Sequence, residues 1–278
     1  RLVLFLGRGD YVAFDEGWYL LLGQNLLAGD GYTLTGLRHV ALSPLFPVLA
    51  GAAGRILGEP VWGGRIVAAI TAGLLVIPAW CIFRRLAGRR TALIAAGLVA
   101  ILPSLAPFVA PFWVGWDLWV GAEPVLHLFL FSGIALGLRA LERRSAWDGL
   151  LSGAAFALAY LARPEAIIAG GLFGLAAAAI VLRRRDARGV LGVALLGLAF
   201  LAGATPYWLY LHDALGRWAL TGRGVAVSLP TGEDRARSDG PKPGERIERM
   251  LWQGRHGQYT RVLYSLDASG TRLANDYW

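Results

Sequence analysis

Apolar residues occur along this chain in several long runs. The longest runs are each close to the ~20 residues that an α-helix needs to cross about 30 Å of hydrocarbon, and they lie at about 64–83, 91–110, 122–141, 165–182 and 188–206. A shorter run at 148–162 is separated from the next by Arg163-Pro164-Glu165. Because these two runs together exceed one span and are interrupted by proline and charge, we predict a hairpin of two short helices.

Two further segments are predicted to lie at the membrane surface. Residues 16–28 are expected to form an amphipathic helix that ends at Gly29-Asp30-Gly31, and its apolar face would carry Trp18, Leu21, Leu22 and Leu26. The stretch from Leu42 to Leu57 has about 14 apolar residues after two prolines, which is short for a span and favours an interfacial or re-entrant helix.

The ends of the sequence are interpreted as those of a fragment. The chain begins at Arg1 without Met, and Arg1–Leu6 is too short to span a membrane, so we interpret it as the end of a helix cut off upstream. Toward the other end, residues 228–245 are rich in turn-forming residues and are predicted to be mobile. Residues 245–266 are predicted to form another interfacial helix, broken near Gly254 to Gly257.

Composition places the chain among membrane proteins. Its hydrophobic fraction is 56% and its mean hydropathy is +0.50, while only 17% of its residues are charged, against about one quarter in soluble domains. The single cysteine, Cys81, excludes an internal disulfide framework and a cysteine-built zinc site. The predicted fold class is an all-α, polytopic bundle of transmembrane helices with extracytoplasmic interfacial helices.

Positive charge is concentrated beside the spans. The formal net charge is +8, and every basic residue except Lys242 is an arginine. Arginine clusters at 84–90, 139–144 and 183–188 fall between alternate spans, so the positive-inside rule assigns all three to the cytoplasm. The other side then holds 7–63, 111–123, 163–165 and everything after about 206. Arginines that anchor helix ends do not form one basic face with interleaved aromatic residues, which excludes nucleic acid as a partner.

A few acidic residues are left on the extracytoplasmic side. Asp15 and Glu16 stand at the start of the first interfacial helix, and Glu123 precedes Pro124 at the start of a span. Each could simply cap a helix N-terminus. The functional alternative is a set of carboxylates at the membrane face, one of which accepts a proton from an attacking hydroxyl. The same three side chains could also bind a divalent cation through oxygen ligands.

Cationic residues on that side are candidates for binding a lipid phosphate. Arg163 and Glu165 lie at the tip of the predicted hairpin, where an internal salt bridge is one explanation of their charges. Binding of a phosphate by the planar guanidinium of Arg163 is the other. Arg38, His39 and Arg65 are weaker candidates for the same role.

Several short motifs occur in an order typical of one family. They are Asp15-Glu16, the run Tyr-Leu-Leu-Leu-Gly-Gln-Asn-Leu-Leu-Ala-Gly-Asp-Gly-Tyr at 19–32, Ser43-Pro44-Leu45-Phe46-Pro47, Gly58 with Arg65, Glu123-Pro124, and Leu161-Ala-Arg-Pro-Glu165. In these motifs, over about residues 1–210, the chain resembles GT-C membrane glycosyltransferases of the protein mannosyltransferase, aminoarabinose transferase and rhizobial lipopolysaccharide glycosyltransferase-like group. It departs from the family at Ser43-Pro44, where a fuller His-Pro-Pro or Lys-Pro is common.

The resemblance implies transfer of a hexosyl or pentosyl group from a polyprenyl-phosphate carrier to an extracytoplasmic lipid, glycan or protein acceptor. It implies that Asp15 is the general base or acceptor-side carboxylate, supported by Glu16. Glu123 matches the acidic position of the second loop, and Arg163 matches the basic residue that approaches the lipid phosphate. A divalent cation is the one candidate cofactor. The expected location is the bacterial cytoplasmic (inner) membrane, with the active site on its extracytoplasmic face.

The same resemblance suggests a division of the chain. Residues 1–210 would form the catalytic transmembrane module with a truncated first helix, and 211–278 would form an incomplete extracytoplasmic loop region. Two other functional classes stay open at this point. A transporter or lipid flippase also uses intramembrane charge, but it should place charge near the midplane and show internal repeats. A non-catalytic scaffold of the cell envelope would lack a cavity joining Asp15, Glu123 and the lipid side.

Overall fold

The computed structural model describes residues 16–34, 37–109 and 121–222, together with three strands at 246–253, 259–267 and 270–277. Helices dominate, which confirms the predicted all-α, polytopic helical bundle. The helices are α1 (Glu16–Ala28), α2 (Leu45–Leu57), α3 (Pro60–Leu74), α4 (Val76–Val109), α5 (Glu123–Arg143), α6 (Ala146–Ala162), α7 (Ala166–Arg183) and α8 (Ala187–Leu215). The strands are β1 (Thr33–Leu34), β2 (Leu37–Arg38), β3 (Arg246–Gln253), β4 (Tyr259–Asp267) and β5 (Gly270–Tyr277).

Most of the predicted spans correspond to helices. Within the described parts of the chain, four stretches are long and apolar enough to cross a membrane: Pro60–Ala100, Glu123–Arg143, Ala166–Arg183 and Ala187–Leu215. The first stretch is not one straight helix, because Gly88 inside α4 has φ 82° and ψ 176°, which no helix accommodates. The break falls within the arginine cluster at 84–90, which is where the sequence separates two spans.

The predicted hairpin of short helices is also present. Helices α6 and α7 are separated by Arg163, Pro164 and Glu165. At the opposite ends of these helices, two short turns join α5 to α6 and α7 to α8. Each turn places an arginine in the left-handed region, Arg144 at φ 53° and Arg185 at φ 49°. Each then continues into an extended N-cap residue, Ser145 or Asp186. The turn between α5 and α6 therefore has the same backbone conformation as the turn between α7 and α8.

The chain divides into two compact units, and of the described residues the larger one contains 67–109 and 122–218. Helix α6 lies at its centre and packs extensively against α5 and α8. The Ser152 hydroxyl on α6 donates to the Gly133 carbonyl on α5 at 2.7 Å. A Cβ added at Gly153 would approach the Leu196 carbonyl oxygen of α8 to 2.0 Å. Glycine at this position therefore lets two backbones approach closely, as in other membrane helix pairs.

Of the described residues, the second unit contains 16–34, 37–66, 121 and 219–222 and the strands β3, β4 and β5. In it α1 packs against α2, and the contact is close because Gly23 and Gly51 face each other's backbones. Tyr19 meets Phe46 edge to face at 5.1 Å. The buried residues of α1 include Glu16, Tyr19, Leu20 and Gly23. Of the four residues predicted to form its apolar face, Leu22 is buried, and Trp18, Leu21 and Leu26 are partly buried.

The predicted C-terminal interfacial helix is wrong. Residues 246–267 form the antiparallel strands β3 and β4, and β5 continues the sheet in the order β3-β4-β5. Within β4, Tyr259, Thr260, Val262 and Tyr264 are of residue types that favour strands. In the pairing of β4 with β5, Asp267 stands opposite Gly270. The apolar residues that suggested a helical face are compatible with both periods over so short a run. Segment 228–245 lies outside the described residues.

Candidate active site

Arg163 is held between two carboxylates at one end of the larger unit. Its Nη1 contacts Glu123 Oε1, and its Nε lies 3.6 Å from Glu165 Oε2. The side chains of Glu123 and Arg163 are 18% and 19% exposed, so this pair is largely withdrawn from solvent. Partial burial makes the attraction stronger than in a fully exposed pair. Two predicted site residues that are 40 positions apart in the sequence are thus brought into direct contact.

Local sequence explains where these side chains stand. Glu123 begins α5, and Pro124 occupies its first turn, where the missing N–H has no effect on the helix. A carboxylate in this position also interacts favourably with the helix dipole. Arg163 is the extended C-cap of α6, where Pro164 disfavours further helix. The guanidinium therefore projects from the end of one helix toward the start of another.

This arrangement lies at a helix end and not near the middle of a span. Helix α5 runs from Glu123 to Arg143 over 21 residues, about 30 Å at 1.5 Å per residue. Glu123 and Arg163 therefore lie about one bilayer thickness from the turns that follow α5 and α7. A charged group at such a boundary stays within reach of both lipid headgroups and the aqueous phase.

An aromatic cluster, which the sequence does not predict, begins at Tyr160, one helical turn before Arg163. Tyr160 is fully buried, and its hydroxyl accepts a hydrogen bond from Trp208 Nε1 at 2.7 Å. Phe200 and Tyr207 pack around Tyr160 with ring centroids 5.9 and 6.0 Å away. Tyr160 and Trp208 are 48 positions apart. The only local signal was the position of Tyr160 just before the Leu161-Ala-Arg-Pro-Glu165 motif.

Glu16 and Arg65 belong to the second unit, and both are buried. Glu16 in the first turn of α1 is 3% exposed, and Arg65 on α3 is 1% exposed. The Arg65 guanidinium carbon lies 5.6 Å from the Trp62 ring centroid, within the range of a cation–π interaction. Buried charges of this kind are retained in proteins only with compensating partners. Asp15, the other half of the predicted carboxylate pair, lies outside the described residues.

His39 is placed as a neutral packing residue. Its ring is buried, edge-on to Trp18 at 5.9 Å and to Tyr32 at 6.1 Å. The Leu42 backbone N–H donates to His39 Nε2 at 3.1 Å, which requires an unprotonated nitrogen there. Burial lowers the pKa of His39 to about 4, so at neutral pH it could offer a phosphate only a neutral N–H. Arg38, by contrast, is exposed at the end of β2.

Ser43 marks the position where the sequence departs from the resemblance. Its hydroxyl is buried and makes no hydrogen bond, although its carbonyl accepts one from the Tyr32 hydroxyl at 3.1 Å.

A complete set of metal ligands is absent from the described segments. No three His, Cys, Asp or Glu side chains there are grouped closely enough to hold a metal ion. Glu123, one of the three proposed ligands, is already paired with Arg163.

Comparison with known proteins supports the assignment made from these motifs. The family model described as dolichyl-phosphate-mannose-protein mannosyltransferase matches residues 41–210. This region includes α2 through most of α8, with Glu123, Arg163 and the aromatic cluster. Searches of curated protein sequences and of solved structures gave no match. Together with its apolar helices, the family match makes the chain an integral membrane protein.

The match extends over more than half of the chain and over the helices that hold the Glu123–Arg163 pair. The family consists of glycosyltransferases, which favours glycosyl transfer over the transporter, flippase and scaffold alternatives. The chain belongs to the dolichyl-phosphate-mannose-protein mannosyltransferase family of GT-C membrane glycosyltransferases.

Proposed function

We propose that this glycosyltransferase takes a sugar from a polyprenyl-phosphate carrier and transfers it to an extracytoplasmic acceptor, which is a lipid, glycan or protein. The observation that carries the proposal is Arg163, a partly buried cation fixed between Glu123 and Glu165 at a helix end. A polyprenyl phosphate presents its charged group at that level of a membrane while its chain stays in the hydrocarbon. The family name, which specifies a dolichyl-phosphate-linked sugar, supports the same donor class.

The reaction requires one base and one site for the leaving group. The acceptor hydroxyl loses its proton to a carboxylate, and its oxygen forms a bond to the anomeric carbon. The bond between that carbon and the phosphate oxygen breaks, and the polyprenyl phosphate leaves with the electron pair. We assign proton acceptance to Asp15, with Glu16 in support, because the resemblance to GT-C glycosyltransferases gives this Asp-Glu pair that role.

Arg163 is assigned to the leaving phosphate. A guanidinium has five N–H donors in a planar fork, and Glu123 and Glu165 engage only some of them. The remaining donors can bind phosphate oxygens as negative charge develops there. Glu123 orients the fork, and its own negative charge keeps Arg163 from binding phosphate too tightly for release. Arg38, His39 and Arg65 are secondary candidates for donor contacts in the second unit.

Sugar transfer by the full-length protein in membranes tests these assignments. We expect Asp15→Asn to lower kcat by about 100-fold or more, the usual contribution of a general base. Glu123→Gln should lower kcat less, because Arg163 stays in place but loses its orienting charge. The matched control is Glu142→Gln, which removes an acid on the same helix as Glu123 but at its other end, where Glu142 pairs with Arg85 at 3.1 Å. Full activity in a well-expressed Asp15→Asn/Glu123→Gln double variant would overturn the site.

A divalent cation is the alternative source of positive charge at this site. If Asp15, Glu16 and Glu123 bound a metal ion, EDTA should abolish transfer, and Mn²⁺ or Mg²⁺ should restore it. If Arg163 supplies the charge, transfer should persist in EDTA and fall in Arg163→Gln. Because the two results are opposite, one preparation assayed with and without chelator distinguishes the proposals.

A further inference from the structure

Three arginine-rich turns meet at one end of the larger unit. They are residues 84–90 at the break in α4, residues 139–148 between α5 and α6, and residues 183–188 between α7 and α8. Arg85 pairs with Glu142 at 3.1 Å, which joins the first turn to the second. Arg144 pairs with Asp186 at 3.2 Å, which joins the second to the third. We call this group of three turns the arginine-rich end.

The arginine-rich end carries the whole net charge of the chain. Its three segments contain eleven arginines and three acidic residues, a net charge of +8, which equals the net charge of all 278 residues. The rest of the sequence is therefore electrically balanced at neutral pH. Charge concentrated in this way produces a local positive potential that a uniformly basic surface would lack.

All three acidic residues of the arginine-rich end form ion pairs with arginines of the same end. Glu142 and Asp186 form the two cross-turn pairs, and Asp148 pairs with Arg139 at 2.5 Å inside the second turn. In the segments that the structure describes, eight further arginines of this end are exposed and pair with no acid. They are Arg84, Arg89, Arg90, Arg143, Arg183, Arg184, Arg185 and Arg188. The ion pairs thus hold the turns together, and the remaining guanidinium groups are left for an external anion.

Apolar side chains beside these arginines indicate what kind of anion it is. Leu86 in the first turn and Trp147 in the second are each 67% exposed. Leu182, directly before the third turn, is 65% exposed. Large apolar groups next to arginines suit the boundary between headgroups and acyl chains, where a tryptophan ring is stabilised at the headgroup level. A soluble polyanion such as RNA would leave these side chains in water.

We propose that the arginine-rich end is a binding surface for anionic phospholipid headgroups, in which several unpaired arginines contact lipid phosphates while Trp147, Leu86 and Leu182 insert beside them. The phosphate oxygens would accept the bidentate hydrogen bonds that arginine forms readily. Binding here does not depend on the sugar donor, because this surface lies at the other end of α5 and α6 from Glu123 and Arg163.

The test uses the full chain in nanodiscs made of phosphatidylcholine alone or mixed with phosphatidylglycerol. Phosphatidylglycerol should raise the Tm of the unaltered protein, and native mass spectrometry should detect retained phosphatidylglycerol after mild delipidation. The variant is Arg183→Gln/Arg184→Gln/Arg188→Gln, which leaves the cross-turn pairs intact and avoids the left-handed Arg185. It should lose at least half of the Tm shift and retain fewer phosphatidylglycerol molecules.

A single-charge comparison controls for net charge. Arg188 lies in the first turn of α8, and Arg217 is an exposed arginine just beyond the other end of this helix. Arg188→Gln should reduce phosphatidylglycerol retention more than Arg217→Gln does. The proposal is overturned if the triple variant keeps the full Tm shift and lipid retention, or if Arg188→Gln and Arg217→Gln lose retention equally. If the triple variant fails to fold, the comparison of Arg188→Gln with Arg217→Gln still tests the proposal.

Discussion

Single side chains in this protein acquire their roles from what surrounds them. Arg163 and His39 are both candidate phosphate ligands in the sequence, and packing separates them. Arg163 is a partly buried cation stabilised by Glu123, whereas His39 is enclosed by Trp18 and Tyr32 and accepts a backbone hydrogen bond. Of these two residues, only Arg163 therefore offers positive charge to a phosphate at neutral pH. No property of the sequence around His39 would have revealed its neutral state.

His39 should make stability depend on pH below neutrality. Its pKa is about 4 when folded and 6.5 when unfolded, so below pH 6.5 the unfolded chain binds more protons and stability falls with pH until about pH 4. The contribution that is lost is about 3 kcal/mol. We expect His39→Gln, which keeps an acceptor for the Leu42 N–H, to show a smaller fall of Tm between pH 6.5 and 4. Equal pH profiles of the two proteins would contradict this explanation.

Helices and turns were predicted best where the signal was local. The hairpin of α6 and α7, the short helix α2 and the break near Gly88 all follow from proline, glycine and charge at particular positions. The contacts between helices did not follow. Glycine alone does not mark such a contact, because a Cβ at Gly171 or Gly174 on α7 would meet nothing within 4 Å. The close approach occurs at Gly149 and Gly153, which face α8, because packing depends on which face meets a neighbour.

The α6–α8 contact predicts a strong difference between two glycine substitutions. Gly153→Ala would drive a methyl group into the Leu196 carbonyl, which lies 2.0 Å from the ideal Cβ, and overpacking of this kind costs about 1–3 kcal/mol. Gly171→Ala meets nothing within 4 Å and should gain up to ~1 kcal/mol of helix propensity. Thermal unfolding of both variants in the same detergent checks this. A Gly153→Ala protein as stable as Gly171→Ala would show that α6 and α8 are not in close contact.

For the molecule as a whole, charge defines the two ends of the larger unit. The arginine-rich turns lie at one end, and Glu123, Arg163 and Glu165 lie at the other. Helix α8 runs between these two ends over 29 residues, about 43 Å at 1.5 Å per residue. That length exceeds the ~30 Å of the hydrocarbon core, so its two ends are expected in different compartments.

Cysteine labelling in membrane vesicles tests this topology. Cys81 is the only cysteine, so Cys81→Ser gives a background for single replacements at Arg184→Cys and Arg217→Cys. A membrane-impermeant maleimide should react with the Arg184→Cys protein only from the cytoplasmic side, by the positive-inside rule. It should react with the Arg217→Cys protein only from the other side. Labelling of both proteins from the same side would contradict a membrane-crossing α8.

The sequence alone determined the membrane environment, the helical class and the family, and it predicts a side of the membrane for each arginine cluster. These properties depend on local composition and on spacing along the chain, which apolar runs, arginine clusters and short motifs record directly. Only the tertiary structure decided that Glu123 and Arg163 form a pair, that Trp208 donates a hydrogen bond to Tyr160, and that two ion pairs join the three arginine-rich turns. Such contacts join residues tens of positions apart, and packing geometry selects them from many combinations that the same pattern allows.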